Sequence, residues 1–286
     1  MRTALLTIGT TPILVAVIIA VALAGSPTRE ARGAQQAAAK TSNPDPAQSP
    51  TPVIVELFTS EGCSDCPPAD RLLYALGKAQ PVPGAEIIPL EEHVDYWNSD
   101  GWNDPFSSSQ FTVRQKDYVY VFNRASEYTP EMVVDGAFEF VGSDQKRALA
   151  DIAKEALVPK ADIKIEELPG ANSDARKMQL RVSLAPLGAL NPKHGAEVVL
   201  AITEDDLSSD VTRGENAGKR LNHFGVVREL RVLGKVDSAG SFSATPDLTL
   251  SRDWNRENLH VIGFVQDRST KRILGAAILS LSRASS

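Results

Sequence analysis

The segment VIVELFTSEGCSDCPPAD, residues 53–70, decides how the chain folds. Its first six residues form an almost uninterrupted apolar run, which predicts a central strand buried on both faces. A short turn follows, and Cys63-Ser-Asp-Cys66 then opens a second element. Apolar residues recurring at i, i+3, i+4 and i+7 predict that this element is a helix, and they are Ala69, Leu72, Leu73 and Leu76.

The position of the two cysteines favours thiol–disulfide chemistry. A CxxC pair at the start of a helix that follows a strand indicates a thioredoxin-like redox site. Free amide groups and the helix dipole stabilise a thiolate there and lower its pKa. We therefore expect Cys63 to be the exposed nucleophile and Cys66 to be the resolving thiol that attacks the mixed disulfide.

Two other interpretations of the cysteine pair remain open. A purely structural disulfide would stabilise the fold only weakly, because closing so short a loop removes little entropy from the unfolded chain. A four-thiolate metal site needs more than the two cysteines present, and the four histidines lie far from the motif in sequence. The leading interpretation therefore requires no cofactor and no metal.

Length and composition limit the number of domains and the class of protein. A chain of 286 residues suits about two domains. Its 42% hydrophobic and 23% charged content is that of an ordinary globular protein. The net charge of −6 offers no basic surface for nucleic acid, so we expect no nucleic-acid partner.

The N-terminus predicts export. Residues 1–24 contain one basic residue and an apolar run, and they end in the small-x-small pattern of a signal peptide. An uncleaved membrane anchor is the alternative, because the apolar stretch only just reaches the length that spans a bilayer. Residues 25–52 are rich in Ala, Pro, Gln and Ser and predict a disordered linker. We expect a periplasmic or otherwise exported protein, with the inner membrane reached only through that anchor.

Residues 53–158 predict an α/β thioredoxin-like domain with the order β-α-β-α-β-β-α. The second strand, 86–94, contains Pro89, which places it nearer an edge of the sheet. The dipeptide Asp135-Gly136 predicts a tight hairpin between the last two strands. Helical patterns precede and follow that hairpin.

Two segments of this domain are candidates for a substrate groove. Residues 93–106 follow a strand and are rich in aromatic side chains, although an Ω-like loop packed by its own aromatics is an equal alternative. Thr129-Pro130 precedes a strand, and we expect a cis bond there rather than a plain trans bond, because its position is that of the proline loop in thioredoxin-like folds. The predicted substrate-binding residues are Tyr96, Trp97, Trp102, Thr129 and Pro130.

Glu56 is the only charged residue in the first predicted strand. Strand alternation would direct it opposite to Val55 and Leu57, and we expect that side to lie beneath the CxxC helix. A buried carboxylate there would act as general base for Cys66. The alternative is a structural Glu56 that pairs with a nearby cation such as Arg71 or reaches solvent at the end of the strand.

Residues 160–284 predict an all-β, sandwich-like second domain. Their apolar residues alternate with a period of two, and long helical patterns are missing. The polar link around 212–220 is expected to be solvated, with anion binding as the alternative. His223 is expected to be structural, although it would face the redox site if the two domains meet there.

The chain resembles the family defined by the domain of unknown function 1223 (DUF1223). The similarity lies in the CxxC segment, in residues 93–97 and 101–106, in residues 128–136, and later in 213–218 and 223–228. The resemblance implies an exported, thioredoxin-like protein of bacterial type and supplies no substrate. Glu91-Glu92 departs from the apolar residues expected before His93.

The sequence thus predicts a thiol–disulfide oxidoreductase acting on protein or peptide thiols together with a redox partner protein. The first alternative is a copper-binding or chaperone module, in which Cys63, Cys66 and either His93 or His223 bind Cu(I). The second alternative is a binding module that has kept the fold without activity.

Overall fold

A computed structural model describes residues 49–169 and 176–281. The expected signal segment 1–24 and all of the expected linker before residue 49 lie outside the described residues. Within the described ranges, no helix has the length and apolar character needed to cross a membrane.

The described residues form a mixed α/β structure with a large sheet and few helices. The helices are α1 (Pro67–Ala79), α2 (Ser109–Val121) and α3 (Gln145–Glu155). The strands are β1 (Thr51–Thr59), β2 (Ala85–His93), β3 (Glu131–Val134), β4 (Phe138–Val141), β5 (Ile163–Leu168), β6 (Lys177–Leu184), β7 (Ala196–Glu204), β8 (Leu207–Asp210), β9 (Arg220–His223), β10 (Val226–Lys235), β11 (Phe242–Ala244), β12 (Asp247–Thr249), β13 (Leu259–Asp267) and β14 (Ile273–Ser280).

The first half of the chain is built around β1. This strand pairs in parallel with β2 and antiparallel with β3, and β4 lies beyond β3. Side chains of β1 alternate between two apolar layers, as its nearly continuous apolar sequence requires. Val55 and Leu57 pack with α1 and α3, whereas Ile54 and Phe58 pack with α2. The predicted order of helices and strands in this half is confirmed.

The strands of the second half extend the same sheet. The strand order is β14-β13-β7-β10-β2-β1-β3-β4, with β10 parallel to β2 through Val226 and Glu91. The expectation that β2 lies near an edge is wrong, because β2 is enclosed by β1 and β10. Pro89 is tolerated because the ladder to β10 forms beyond it, where the Glu91 amide donates to the Gly225 carbonyl at 2.8 Å.

A smaller four-stranded sheet of β5, β6, β11 and β12 covers one face of the extended sheet. Side chains of β6 such as Leu180 and Val182 meet Leu200 of β7 and Val261 of β13 in one apolar core. The large sheet therefore takes the place of one layer of the separate sandwich expected for residues 160–284. The described residues form a single compact unit.

The turn between β3 and β4 ties the two halves together. Asp135 and Gly136 have φ values of +48° and +60°, which confirms the predicted tight hairpin. The Asp135 carbonyl accepts a hydrogen bond of 2.8 Å from the Ile273 amide, and its carboxylate accepts one of 2.8 Å from the Ile54 amide. A Cβ atom at Gly136 would lie only 2.0 Å from the Lys271 carbonyl oxygen, so the backbones of the two halves touch here.

We predict that Gly136→Ala destabilises the protein more than a conformationally matched control. Gly188 has a similar φ of +54° with open space around it, so Gly188→Ala reports only the cost of a left-handed alanine, about 1 kcal/mol. Gly136→Ala adds the clash with Lys271 and should cost about 2 kcal/mol more. Denaturant unfolding measures both values. Equal losses in the two variants would show that the contact does not stabilise the fold.

Candidate functional site

The two cysteines occupy the predicted place at the start of α1. They are joined in a disulfide with a Cα–Cα distance of 5.5 Å. Cys66 is the N-cap residue and Pro67 begins the helix, where a missing N–H costs no hydrogen bond. The strand, turn and helix of residues 53–70 thus place the disulfide at the amide-rich end of a helix.

The disulfide is covered, so the expectation of an exposed Cys63 is wrong. Cys63 is 1% exposed and Cys66 is fully buried. A loop between β8 and β9, residues 211–219, is hydrogen-bonded to the turn that contains Cys63 and is called here the covering loop. Its buried Asn216 donates hydrogen bonds of 2.8 Å to the carbonyls of Glu61 and Cys63. The Ser64 amide donates to the Glu215 carboxylate at 3.1 Å.

The covering loop had been expected to be solvated, and for Asn216 that expectation is wrong. A polar segment with several glycines carries no sequence signal that distinguishes a solvated loop from one packed on another part of the chain. Gly214 shows the close packing, because a Cβ atom there would lie 3.2 Å from the Trp102 Cβ. The buried carbonyl groups of Glu61 and Cys63 need a hydrogen-bond donor, and the amide side chain at position 216 supplies it.

The predicted groove residues lie together beside the disulfide turn. The Thr129–Pro130 bond is cis, as predicted. The Trp97 indole donates to the Thr129 hydroxyl at 2.8 Å, and a Cβ atom at Gly62 would lie 3.1 Å from the Trp97 Cβ. Tyr96 donates to Gln115 at 3.2 Å. The aromatic segment therefore connects the proline loop to the turn that precedes Cys63, and its role in substrate binding stays a prediction.

A buried polar cluster lies next to this turn. His223 contacts the Glu91 carboxylate through Nδ1 at 2.8 Å and the Glu61 carboxylate through Nε2 at 3.0 Å. His93 contacts Asp104 through Nδ1 at 2.7 Å, and the two imidazole rings meet edge to face at 4.8 Å. All five side chains are at most 2% exposed. The alternative that His223 faces the redox region is thus the one that the structure supports.

The charges in this cluster depend on one another. Burial opposes charge on His223, but the Glu91 carboxylate raises the pKa of His223 to about 9. Burial likewise opposes ionisation of Glu91, yet the charge of His223 lowers the pKa of Glu91 to about 2. Asp70, one helical turn after Cys66, accepts a hydrogen bond of 2.7 Å from the Thr59 hydroxyl. Burial, followed by the charge of Glu91, raises the pKa of Asp70 to about 7.

Glu56 does not lie beneath the CxxC helix, so that expectation is wrong. Its neighbours Val55 and Leu57 face α1, and alternation directs Glu56 to the opposite side of the sheet. There its carboxylate accepts hydrogen bonds of 2.5 Å from Arg114 Nε and from the Tyr118 hydroxyl, both in α2. Its cation is therefore Arg114 rather than Arg71.

The structure gives no support for a copper site made by the cysteines and a histidine. The cysteines are bonded to each other. Among the described residues, the one group of close potential metal ligands consists of Glu91, His93 and His223, without either cysteine.

We predict that Glu56→Gln lowers stability and leaves thiol–disulfide exchange unchanged. Removing the Glu56 charge breaks a buried ion pair and leaves Arg114 with only the carboxyl group of Glu92, 3.4 Å away, so the change should cost about 3 kcal/mol. Denaturant unfolding and the rate of disulfide exchange are measured on the same samples, with Glu86→Gln, an exposed carboxylate on β2, as the control. Slower exchange at unchanged stability would return Glu56 to the redox site.

We predict that Asn216→Ala exposes the disulfide. The variant loses two hydrogen bonds that hold the covering loop, each worth about 1 kcal/mol, so reduction of Cys63–Cys66 by a small reductant should speed up by up to about 30-fold. Asn222→Ala, which removes an exposed amide on neighbouring β9, is the matched control. Identical reduction rates in both variants and the parent would mean that Asn216 does not limit access.

The chain was compared with solved structures and with curated proteins. The crystal structure of protein AGR_C_4864 from Agrobacterium tumefaciens is similar, with a TM-score of 0.60 and 24% identity over 83% of this chain and 98% of that one. That likeness concerns the fold. A domain of the outer membrane lipoprotein Omp28 from Porphyromonas gingivalis matches over 44% of this chain and 90% of its own length, with 16% identity and a TM-score of 0.27. The comparison with curated proteins gives no match.

A family model described as "Protein of unknown function (DUF1223)" matches residues 54–266. The match includes the disulfide, the aromatic segment, the proline loop and the covering loop. The resemblance seen in the sequence is thereby confirmed: the chain belongs to the DUF1223 family.

Proposed function

We propose that the protein is an exported thiol–disulfide oxidoreductase of thioredoxin-like type that acts on protein or peptide thiols. The observation that carries the proposal is the CxxC disulfide at the N-terminus of α1, with Cys66 as the N-cap residue. Amide groups at that position favour a thiolate once the disulfide is reduced. The signal-like residues 1–24 support export, and a periplasmic location is part of the proposal.

The arrangement of the first half supports a thioredoxin-like assignment for residues 53–158. Its four strands have the order β2-β1-β3-β4. Strands β1 and β2 are parallel, and β3 is antiparallel to both β1 and β4. Helices α1 and α3 share one face of the sheet and α2 occupies the other. The cis-proline loop reaches the disulfide turn through Trp97. These features go together in folds that hold an extended substrate beside a CxxC pair.

The proposed reaction is the exchange of two electrons between the cysteine pair and a dithiol or disulfide of the substrate. In one direction the reduced protein donates two electrons to a substrate disulfide, and the same steps in reverse oxidise a substrate dithiol. The Cys63 thiolate attacks one substrate sulfur and forms a mixed disulfide, and the other substrate sulfur leaves as a thiolate that takes up a proton. Cys66 then loses its proton and attacks Cys63, which releases the second substrate thiol and re-forms Cys63–Cys66. A redox partner protein, itself a dithiol, restores the reduced state.

Access to Cys63 requires the covering loop to move. With the loop closed, the bonds from Asn216 hold it against the Cys63 carbonyl and leave Cys63 1% exposed. Trp102 lies against the same loop and donates to Glu61 at 2.7 Å. We propose that a substrate strand replaces the loop and contacts the half-buried Tyr96, Trp97 and Trp102 together with Thr129 and Pro130.

The burial of Cys63 also favours one other candidate, a binding module whose disulfide has no redox role. The two candidates differ in what the thiols do. A module of that kind keeps its disulfide closed in contact with substrate dithiols, whereas an oxidoreductase exchanges it.

We predict an asymmetry between the two cysteine variants in disulfide exchange. Cys63→Ser should abolish reduction of insulin or of a small disulfide, because the attacking thiol is lost. Cys66→Ser should instead accumulate a mixed disulfide on Cys63, which mass spectrometry detects, because resolution is lost. Since the chain contains two cysteines, the double variant gives the background rate. Equal behaviour of the two single variants, or no exchange by the parent protein, would favour the binding module.

A further inference from the structure

Three buried side chains direct ligand atoms towards one point next to the disulfide turn. They are Glu91 and His93, at the end of β2, and His223, at the end of β9. One ligand atom from each lies within 4.8 Å of the other two, and all three side chains are at most 2% exposed. From this geometry we propose that a divalent transition-metal ion, with zinc as its representative, binds between Glu91 Oε1, His93 Nε2 and His223 Nδ1.

An unpartnered nitrogen is the independent sign of a ligand. His93 Nε2 is fully buried and has no hydrogen-bond partner among the described residues. It points to Glu91, whose Oε1 lies 3.6 Å away. A buried polar atom without a partner costs about 1–3 kcal/mol, so native structures seldom keep one without a reason. A metal ion between the two atoms satisfies it.

Each histidine is held by a second carboxylate from behind. Asp104 contacts His93 Nδ1 at 2.7 Å, which turns Nε2 towards Glu91. Glu61 contacts His223 Nε2 at 3.0 Å, which turns Nδ1 towards Glu91. Histidine ligands of metals almost always make such a contact through their other nitrogen, because it fixes the ring and raises its basicity.

The remaining carboxylate oxygens are held by further donors. Glu91 Oε2 accepts from the Phe224 amide at 2.8 Å, which leaves Oε1 as the ligand. Glu61 Oε2 accepts from the Trp102 indole at 2.7 Å. The ligand atoms and the groups behind them are therefore fixed by four different segments of the chain before any ion binds: Glu61, residues 91–93, residues 102–104 and residues 223–224.

The distance between Glu91 and His93 already suits a four-coordinate ion. Zinc bonds of about 2.1 Å place neighbouring ligand atoms about 3.4 Å apart, and the Glu91 oxygen lies 3.6 Å from His93 Nε2. The same oxygen lies at hydrogen-bond distance, 2.8 Å, from His223 Nδ1, so an ion that replaces this hydrogen bond has to move the two atoms apart by about 0.6 Å. Three protein ligands leave one position for water. His223 also lines a surface cavity of about 340 Å³ beside Arg71 and Tyr74, which gives an ion a route from solvent.

The charges and the donor set also suit such an ion. The carboxylates of Glu61, Glu91 and Asp104 surround two imidazoles. Without a metal ion, protons on the two imidazoles balance the negative charge of these carboxylates, and a bound ion with two positive charges would take over that role. Two imidazole nitrogens and one carboxylate suit zinc, copper(II), nickel(II) and iron(II) better than magnesium or calcium. No thiol takes part, so the site is independent of the proposed redox function.

Zinc titration of the full chain tests the site. The protein is stripped with a chelator, its Cys63–Cys66 disulfide is kept closed, and Zn²⁺ is added in a calorimeter. We expect one Zn²⁺ per chain. Cobalt(II) then serves as a spectroscopic substitute: nitrogen and oxygen ligands give visible d–d bands without a thiolate charge-transfer band. Absence of 1:1 binding, or a thiolate band, would overturn the proposal.

Variants assign the ligands. Glu91→Gln, His93→Gln and His223→Gln should each weaken Zn²⁺ binding at least 100-fold, and Asp104→Asn, behind His93, should weaken it about 10–100-fold. The matched control changes the two other histidines, His194→Gln and His260→Gln, which should bind Zn²⁺ as the parent does. If a ligand variant does not fold by circular dichroism, Asp104→Asn and the cobalt spectrum of the parent decide. Unchanged affinity in the folded ligand variants would overturn the proposal.

Discussion

The carboxylate of Glu91 is the constraint on which the rest of the structure depends. Glu91 is the residue of β2, in the first half, that pairs with β10 of the second half. Its backbone amide bonds to Gly225, and its side chain bonds to His223 and to the Phe224 amide. A buried carboxylate needs partners of this kind, because desolvation without them costs several kcal/mol. The second half of the chain supplies all of these partners, so the two halves fold as one unit.

This joint determines what surrounds the disulfide. The covering loop lies between β8 and β9, and β9 leads directly into His223, so the pairing at Glu91 holds the loop over the turn of residues 60–63. Asn216 and Cys63, which contact each other through the amide and the carbonyl, are 153 residues apart in sequence. The turn that contains Cys63 is thus held by a segment outside the strands and helices that carry the two cysteines.

On the opposite face of the large sheet, a second buried carboxylate is also paired with a residue that contacts the second half of the chain. Glu56 in β1 is paired with Arg114 in α2, and Arg114 also donates to Gln266 in β13 at 3.1 Å. A fully buried Glu92 lies 3.4 Å from the same guanidinium, and burial, opposed by Arg114, raises the pKa of Glu92 well above its usual value. Charged residues within β1 and β2 therefore connect both faces of the sheet to the second half, Glu56 through Arg114 and Glu91 directly.

Local sequence determined the elements, and tertiary structure decided their neighbours. The apolar run from Val53, the helix spacing after Cys66 and the hairpin at Asp135 were predictable, because each depends on residues close in sequence. The cis bond before Pro130 was predictable only from its position, which is that of the proline loop in thioredoxin-like folds. The burial of Cys63, the side on which Glu56 lies and the meeting of His93 with His223 were not, because each depends on partners over 50 residues away. Pro89 and Glu91-Glu92 were the one sign of these partners in the sequence, because a proline and two carboxylates are unusual in a buried strand. The folded chain accommodates them by placing Gly225 and His223 next to Glu91 and Arg114 next to Glu92. A charged residue in a buried strand indicates that it has a partner, but only the folded chain shows which residue that partner is.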